Sequence, residues 1–189
     1  MRRGFKSEAE RLATEIRERL GCSHYEPVPM DILANDLGVT LKSADELVPR
    51  HRLEELQDLQ EDAFSAATFR LPGGQRVVVH NPLHSPGRTR SNQAHELAHI
   101  ALDHSLRTLE KVGSLSFVTC DVEQEEEADW LGGCLLLPRE VLLVAAREGK
   151  SAAQLAQQFE TSEHMARFRL NASGVLVQVG RERARQRRK

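Results

Sequence analysis

The sequence lacks any long apolar run. No stretch approaches the roughly 20 consecutive apolar residues that a membrane-spanning helix needs. The amino-terminal Phe5 is followed by Lys6, Ser7 and Glu8, not by the apolar core of a signal peptide. These absences exclude a transmembrane protein with a long apolar helix, and they predict a chain that stays in the cytoplasm and has no membrane partner.

Cysteine is also scarce. The three cysteines, Cys22, Cys120 and Cys134, form neither an even-numbered disulfide framework nor a Cys-x-x-Cys metal motif. This usage is typical of a reducing compartment. Cys134 lies in an apolar segment and is interpreted as a small buried hydrophobic residue, with sensitivity to oxidation as the weaker alternative.

A strong net charge is absent as well, because 26 Lys and Arg residues nearly balance 28 Asp and Glu residues. The balance is uneven along the chain, since residues 181–189 hold six basic residues and one acidic residue. We interpret this run as a solvated, disordered tail, with an electrostatic arm for nucleic acid as the alternative. The length and composition suit one compact domain, over residues 1–180.

The most informative motif is the run from His95 to His99, His-Glu-Leu-Ala-His. Residues four apart share one face of a helix, so both imidazoles can bind one metal ion, while Glu96 can reach a water molecule beside it. Apolar residues recur at helical spacing from Gln93 onward, whereas residues 86–92 are turn-rich and polar. The motif predicts Zn²⁺, held by His95 and His99, with Glu96 as catalytic base for metal-assisted hydrolysis.

A catalytic zinc requires a third protein ligand and one open position. Residues 125–138 begin acidic, become apolar and end at a proline, which predicts a second helix. Glu125 shares a face of this helix with small residues and is the preferred ligand, while Glu126 and Glu127 stay open as alternatives. Asp129, one turn further, is expected to accept the second N–H group of a liganding histidine.

The spacing of His104 does not suit a third ligand of the metzincin type. A metzincin-type site needs a histidine six residues after the second one and a glycine between them, and these positions hold Ser105 and Leu102. His104 is instead a candidate donor to the oxyanion of the reaction. The sequence does not choose between it and the other candidates, His80, His84 and Tyr25.

The remaining pattern predicts both helices and strands. Residues 64–71 and 76–80 flank a Pro-Gly-Gly-Gln turn and predict a hairpin, whose exposed edge could hold an extended peptide near the metal. Residues 43–62 are interpreted as a variable loop with a short helix at 52–60, and residues 105–121 as a loop that could act as a mobile lid. Further segments predict helices at 7–20, 29–37 and 139–148 and a strand at 39–42.

Residues 151–171 predict two short helices, with Ser162 capping the second, and they resemble a DNA-binding helix-turn-helix. Few side chains of the second helix suit base reading beyond His164, Arg167 and Arg169. We therefore favour packing of this pair on the rest of the domain over direct nucleic-acid binding.

The His-Glu-Leu-Ala-His run and the later Glu-x-Glu-Ala-Asp-x-Leu-Gly-x-x-Leu-Leu-Leu-Pro run together resemble the ImmA/IrrE family of zinc metallopeptidases, over roughly residues 8–170. The resemblance implies zinc ligands at His95, His99 and Glu125 and a catalytic carboxylate at Glu96. Two departures, Ala98 for the usual glycine and Leu131-Gly132 for a Phe-Ala pair, remove no ligand.

Members of that family act on helix-turn-helix repressors, and the best understood ones cleave them. The resemblance thus implies an intracellular, gluzincin-like endopeptidase that relieves transcriptional repression. It also implies an α+β, zincin-like single domain, with a small sheet and hairpin packed on the zinc-bearing helices and a helical carboxyl-terminal part. The alternative is a non-catalytic regulator with a structural zinc, which binds a repressor or DNA.

Overall fold

The computed structural model describes residues 1–105, 108–112, 115–119 and 121–188. Helices alternate with short strands, so the expected α+β class is confirmed. One continuous cluster of buried apolar side chains extends from Phe5 in the first helix to Val179 in the last. Among the residues described, no helix is both long and apolar enough to cross a membrane.

The amino-terminal part consists of α1 (Phe5–Arg19) and α2 (Met30–Asp36). Helix α1 begins two residues before the predicted start at Ser7, because the side chain of Phe5 is 1% exposed and extends the apolar face into the core. Arg17 is fully buried and donates to the carbonyl oxygen of Leu135 at 2.7 Å. This hydrogen bond holds α1 against the Leu135 carbonyl group. That group lies in the last turn of a later helix, where carbonyl groups have no intrahelical partner.

A three-stranded sheet follows, formed by β1 (Val39–Ser43), β2 (Ala66–Arg70) and β3 (Arg76–His80). Strands β2 and β3 are antiparallel, which confirms the predicted hairpin, and β1 is parallel to β3. The strand order β1-β3-β2 puts β3 in the centre. The exposed edge of the hairpin is therefore β2, the first of its strands.

Two expected loops contain regular structure. The 43–62 segment contains the predicted short helix as α3 (Arg50–Leu59), and it adds a 3₁₀ turn at Ala44–Glu46 where irregular structure was expected. Within the 105–121 segment, β4 (Thr108–Val112) and β5 (Leu115–Thr119) pair as an antiparallel hairpin. The predicted lid includes residues 106, 107, 113, 114 and 120, which lie outside the described residues, so the lid stays a prediction.

The two helices expected to bear the metal site are α4 (Pro86–Ala101) and α5 (Val122–Leu136), and they pack along each other. Gly132 permits a close approach, since a Cβ atom there would lie 3.1 Å from the carbonyl oxygen of Ala94. Helix α4 begins at Pro86, well before the predicted Gln93. Proline suits the first helical position, and its fixed φ angle starts the helix where the composition indicated a turn.

The carboxyl-terminal part is helical and consists of α6 (Arg139–Glu148), α7 (Ala152–Gln158), α8 (Glu163–Ala172) and α9 (Val175–Gln186). The helix predicted after Pro138 is confirmed, as is the Ser162 cap, whose side chain accepts from the Met165 amide.

The α7–α8 pair packs on the core, which confirms the packing predicted for it. Ser91 of α4 contacts the hydroxyl groups of Thr161 and Ser162 in the turn between the two helices, at 2.9 and 3.0 Å. Arg169, named as a base-reading candidate, is fully buried and bonds to the carbonyl oxygen of Leu137 and to Glu10. The assignment is wrong for Arg169, because its guanidinium is buried and hydrogen-bonded inside the protein.

The expected disordered tail is also wrong for residues 181–186, which belong to α9. Arg183 donates to the carbonyl oxygen of Arg147 at 2.9 Å, and Glu182 pairs with the Arg147 side chain at 3.2 Å. These contacts hold the basic segment against α6, which the charge pattern alone could not indicate.

Candidate metal centre

His95 and His99 lie one turn apart on α4, and their Nε2 atoms are 3.1 Å apart. Their side chains are 18% and 14% exposed, so the pair is only partly buried and remains accessible from the surface. The buried residues Ala94, Leu97 and Ala98 on neighbouring helix positions anchor this stretch of α4 in the core. The predicted shared face for the two imidazoles is thus present.

Glu125 approaches the pair from the first turn of α5. Its Oε2 lies 3.3 Å from His95 Nε2, and its Oε1 lies 3.6 Å from His99 Nε2. The start of α5 is fixed by Asp121, whose side chain accepts from the Glu123 amide. His95, His99 and Glu125 form the group of potential metal ligands found in the described residues, with ligand atoms within 4.8 Å of one another.

The two competing acidic residues point elsewhere. Glu126 is about half exposed, and its Oε2 lies 2.6 Å from the amino group of Met1. Glu127 is buried, and its Oε1 accepts a hydrogen bond from Arg2 Nε at 2.9 Å. Burial raises the pKa of Glu127, but the ion pair with Arg2 outweighs it, so the pKa lies below its usual value. Of the three adjacent carboxylates, Glu125 is the one that faces the histidine pair.

Asp129 lies one turn after Glu125, as the sequence predicts. Its Oδ1 is 2.8 Å from His95 Nδ1, on the side of the ring opposite the Nε2 atom. Burial alone would lower the pKa of His95, but the carboxylates of Asp129 and Glu125 outweigh it and raise this pKa to about 9. The surroundings of His95 therefore favour positive charge, whether a proton or a metal ion provides it.

His104 lies behind His99. Its Nδ1 is 3.0 Å from His99 Nδ1, and its Nε2 is 3.5 Å from Glu127 Oε2. Burial lowers the pKa of His104, and the neighbouring Glu127 opposes this shift. Both ring nitrogens thus face protein partners, and the geometry does not support the predicted role of oxyanion donor.

Glu96 is 7% exposed and lies against the sheet. Thr68, on the edge strand β2, donates its hydroxyl to Glu96 Oε2 at 2.6 Å. One carboxylate oxygen is thereby held in place next to the histidine pair. Thr68 is not among the residues predicted for the site. The alternation of a strand is the one signal for it, because it places Thr68 on the same face of the hairpin as His80, which contacts α4 through Gln93.

The other proposed oxyanion donors have contacts of their own. His80 lies 3.2 Å from Gln93 Nε2, and His84 Nδ1 lies 3.2 Å from Asn92 Nδ2. Tyr25 is largely exposed. These positions give none of the three a defined role, and their assignment stays a prediction.

The group has the chemistry and spacing of a metal site. When the Nδ1–H group of His95 donates a hydrogen bond to Asp129 and the Nδ1–H group of His99 donates one to His104, both Nε2 atoms carry lone pairs. These lone pairs converge with the Glu125 carboxylate. Three acceptors this close need a positive charge among them, which a metal ion or a proton can supply. Tetrahedral zinc bonds of about 2.0–2.1 Å place ligand nitrogens about 3.3 Å apart, close to the observed separations.

Fold and site together define an α+β protein whose two packed helices present a His-His-Glu group with a buried carboxylate beside it, an arrangement typical of metallopeptidases. A family model described as the IrrE N-terminal-like domain, Peptidase_M78, matches residues 34–171. The chain belongs to this family, which indicates a metallopeptidase and agrees with the resemblance found in the sequence. A comparison with curated proteins finds none that matches this chain.

Proposed function

We propose that this protein is a zinc-dependent endopeptidase. The observation that carries the proposal is the convergence of ligand atoms of His95, His99 and Glu125 within 4.8 Å of one another. Glu96 directly follows His95 on the same helix. A zinc ion bound there would activate a water molecule for attack and polarise the peptide carbonyl group.

In this proposal each nearby side chain has one task. Glu96 accepts the proton of the attacking water and transfers it to the leaving amine. Thr68 holds Glu96 Oε2 by its hydroxyl hydrogen bond, so Oε1 is the oxygen left to take the proton. Asp129 fixes the ring of His95 from its Nδ1 side. The edge strand β2, which carries Thr68, could pair with an extended substrate through main-chain hydrogen bonds.

We further propose that the substrate is a helix-turn-helix transcriptional repressor, whose cleavage would relieve repression in the cytoplasm. Support for the partner comes from the ImmA/IrrE resemblance and from the family match over residues 34–171. Support for the compartment comes from Cys22 and Cys134, which are both free thiols.

The first test is the metal content of the purified chain, measured by elemental analysis after loading with zinc. We expect one zinc per wild-type chain and a large loss in His95→Ala and Glu125→Ala. Glu126→Gln is the matched control, because it alters the neighbouring carboxylate, which bonds to the Met1 amine and should leave the zinc content unchanged. A folded wild type that binds no zinc would contradict the proposal.

The second test separates catalysis from binding. A repressor encoded beside this gene would be incubated with the zinc-loaded wild type and with Glu96→Gln, and cleavage would be followed by mass spectrometry. Glu96→Gln should retain zinc and the fold but lose cleavage. If wild type binds the repressor and never cleaves it, the non-catalytic regulator becomes the better description. If Glu96→Gln cleaves as well as wild type, the proposed base is wrong.

A further inference from the structure

A line of polar contacts extends from His99 away from the candidate metal centre. His99 Nδ1 lies 3.0 Å from His104 Nδ1, His104 Nε2 lies 3.5 Å from Glu127 Oε2, and Glu127 Oε1 accepts from Arg2 Nε at 2.9 Å. The side chains of His104 and Glu127 are only 8% and 5% exposed. The line is therefore built into the junction of α4, α5 and the amino-terminal segment.

The positions of the protons along this line are set by its two ends. If His99 presents the lone pair of Nε2 to the metal centre, its ring proton is on Nδ1. His104 Nδ1 must then accept that proton's hydrogen bond, so the proton of the His104 ring is on Nε2. That N–H group faces Glu127, which is a carboxylate and can only accept. The His99–His104 and His104–Glu127 contacts are both satisfied in this one arrangement.

Burial of these groups needs an explanation beyond the fold. A buried carboxylate loses its hydration and must be compensated, and apolar residues of similar volume are often at least as stabilising as a buried ion pair. Glu127 is compensated by Arg2 and at the same time faces His104. Burying His104 and Glu127 costs free energy compared with apolar side chains of the same size. The arrangement is useful when it fixes the orientation of the His99 ring.

We propose that His104 and Glu127 are positioning residues of the metal centre, which fix the tautomer and the ring orientation of His99 as Asp129 does for His95. This inference rests on the proposed function, because it assumes that His99 binds zinc. Neither residue contacts the metal or the substrate in this scheme. Their effect is to keep the Nε2 lone pair of His99 directed at Glu125 and His95.

The test is the zinc affinity of the full chain, measured by competition with a chromogenic chelator. His104→Leu removes both contacts and should weaken zinc binding by about 10- to 100-fold, the usual effect of losing an outer partner of a metal-bound histidine. Glu127→Gln should weaken it less, since the amide oxygen still accepts. His104→Gln offers an acceptor and a donor side by side and should restore most of the affinity.

Two matched controls separate this effect from a general loss of stability. Glu126→Gln changes the adjacent carboxylate, which bonds to the Met1 amine, and His84→Leu removes an equally buried histidine, which contacts Asn92. Both should keep the zinc affinity of wild type. Circular dichroism and thermal melting of the metal-free variants report the fold, and His104→Gln and Glu127→Gln keep the test informative if His104→Leu does not fold.

The tautomer itself can be measured by NMR of ¹⁵N-labelled histidine in the zinc-loaded chain. In wild type, His99 Nδ1 should appear as a protonated nitrogen, and in His104→Leu this signal should broaden or shift. Unchanged zinc affinity and an unchanged signal in all three variants would overturn the positioning roles while leaving the peptidase proposal intact. A folded wild type that binds no zinc would overturn both.

Discussion

Glu96 shows how its surroundings would prepare a single side chain for the proposed proton transfer. Its carboxylate is 7% exposed, and the hydroxyl of Thr68 holds one of its oxygens at 2.6 Å. A base in this position is effective only when its free oxygen faces the attacking water, because a misplaced group loses most of its catalytic effect. Thr68 belongs to the sheet, so the orientation of the base depends on how α4 packs on β2.

Replacement of Thr68 tests this orientation. Thr68→Val keeps the shape and removes the hydroxyl. We expect kcat to fall roughly 10- to 150-fold, with KM and zinc content little changed, because a hydrogen bond to a charged group contributes about 1.5–3 kcal/mol. Thr68→Ser should recover most of the rate. Cleavage kinetics on one substrate, with zinc content measured in parallel, provide the comparison. Equal kcat in wild type and Thr68→Val would show that Glu96 is held by other contacts.

Cys134 is a second residue whose behaviour follows from its surroundings. It is fully buried in α5, and burial raises the pKa of its thiol far above the usual value, which leaves almost no reactive thiolate at neutral pH. We therefore expect Cys134 to resist iodoacetamide in the folded chain and to react after unfolding, with peptide mass spectrometry locating the label. Cys22, which is half-buried, is the internal reference. Labelling of Cys134 in the native chain would revive the hypothesis of oxidation sensitivity.

At the scale of elements, α4 is positioned by packing as well as by its own sequence. Its amino-terminal turn contains Gly87, where an added Cβ atom would lie 2.4 Å from the carbonyl oxygen of Thr161. The contact is with backbone in the α7–α8 turn and cannot be relieved by moving a side chain. Gly87 therefore permits close contact between α4 and the α7–α8 turn, although the composition around it indicates a turn and not a helix.

Gly87→Ala should separate α4 from the α7–α8 turn. We expect a loss of about 1–3 kcal/mol in the free energy of unfolding, the usual cost of adding a methyl group to a well-packed contact. Gly180→Ala is the matched control, because Gly180 lies in α9 with nothing within 4 Å of an added Cβ, and alanine there should stabilise by about 0.5–1 kcal/mol. Urea unfolding of both variants gives the comparison, and equal stabilities would show that the α4 contact can relax.

These elements also show which features of the fold and of the candidate site can be predicted from the sequence. The His95–Glu96–His99 spacing and the β2–β3 hairpin depend on local periodicity and turn chemistry, and both are found as predicted. Contacts such as Thr68 with Glu96, or Arg169 with Leu137, join residues 28 and 32 positions apart. No local pattern encodes such pairs, and for that reason the sequence indicates neither the burial of Arg169 nor the contact of Thr68 with Glu96.

At the scale of the whole molecule, the candidate metal centre joins separate parts of the core. His95 and His99 come from α4, Glu125 comes from α5, and Glu127 connects α5 with Arg2 before α1. A ligand that binds the native arrangement and not the unfolded chain stabilises the entire fold, because unfolding must then include the free energy of release. Zinc should therefore act on global stability as well as on the site.

Zinc should raise the melting temperature of the metal-free chain. At a free zinc concentration about 100 times the dissociation constant, the added stability is about 2.7 kcal/mol. For a chain of this length that corresponds to a shift of roughly 5–10 °C. Calorimetry of the chelator-treated protein, before and after zinc is added back, measures the shift directly. His95→Ala should melt at a similar temperature with and without zinc, because it lacks one of the three proposed ligands. The His95 imidazole is the ligand that lies between the carboxylates of Glu125 and Asp129. A shift of equal size in this variant would place the stabilising zinc at another site.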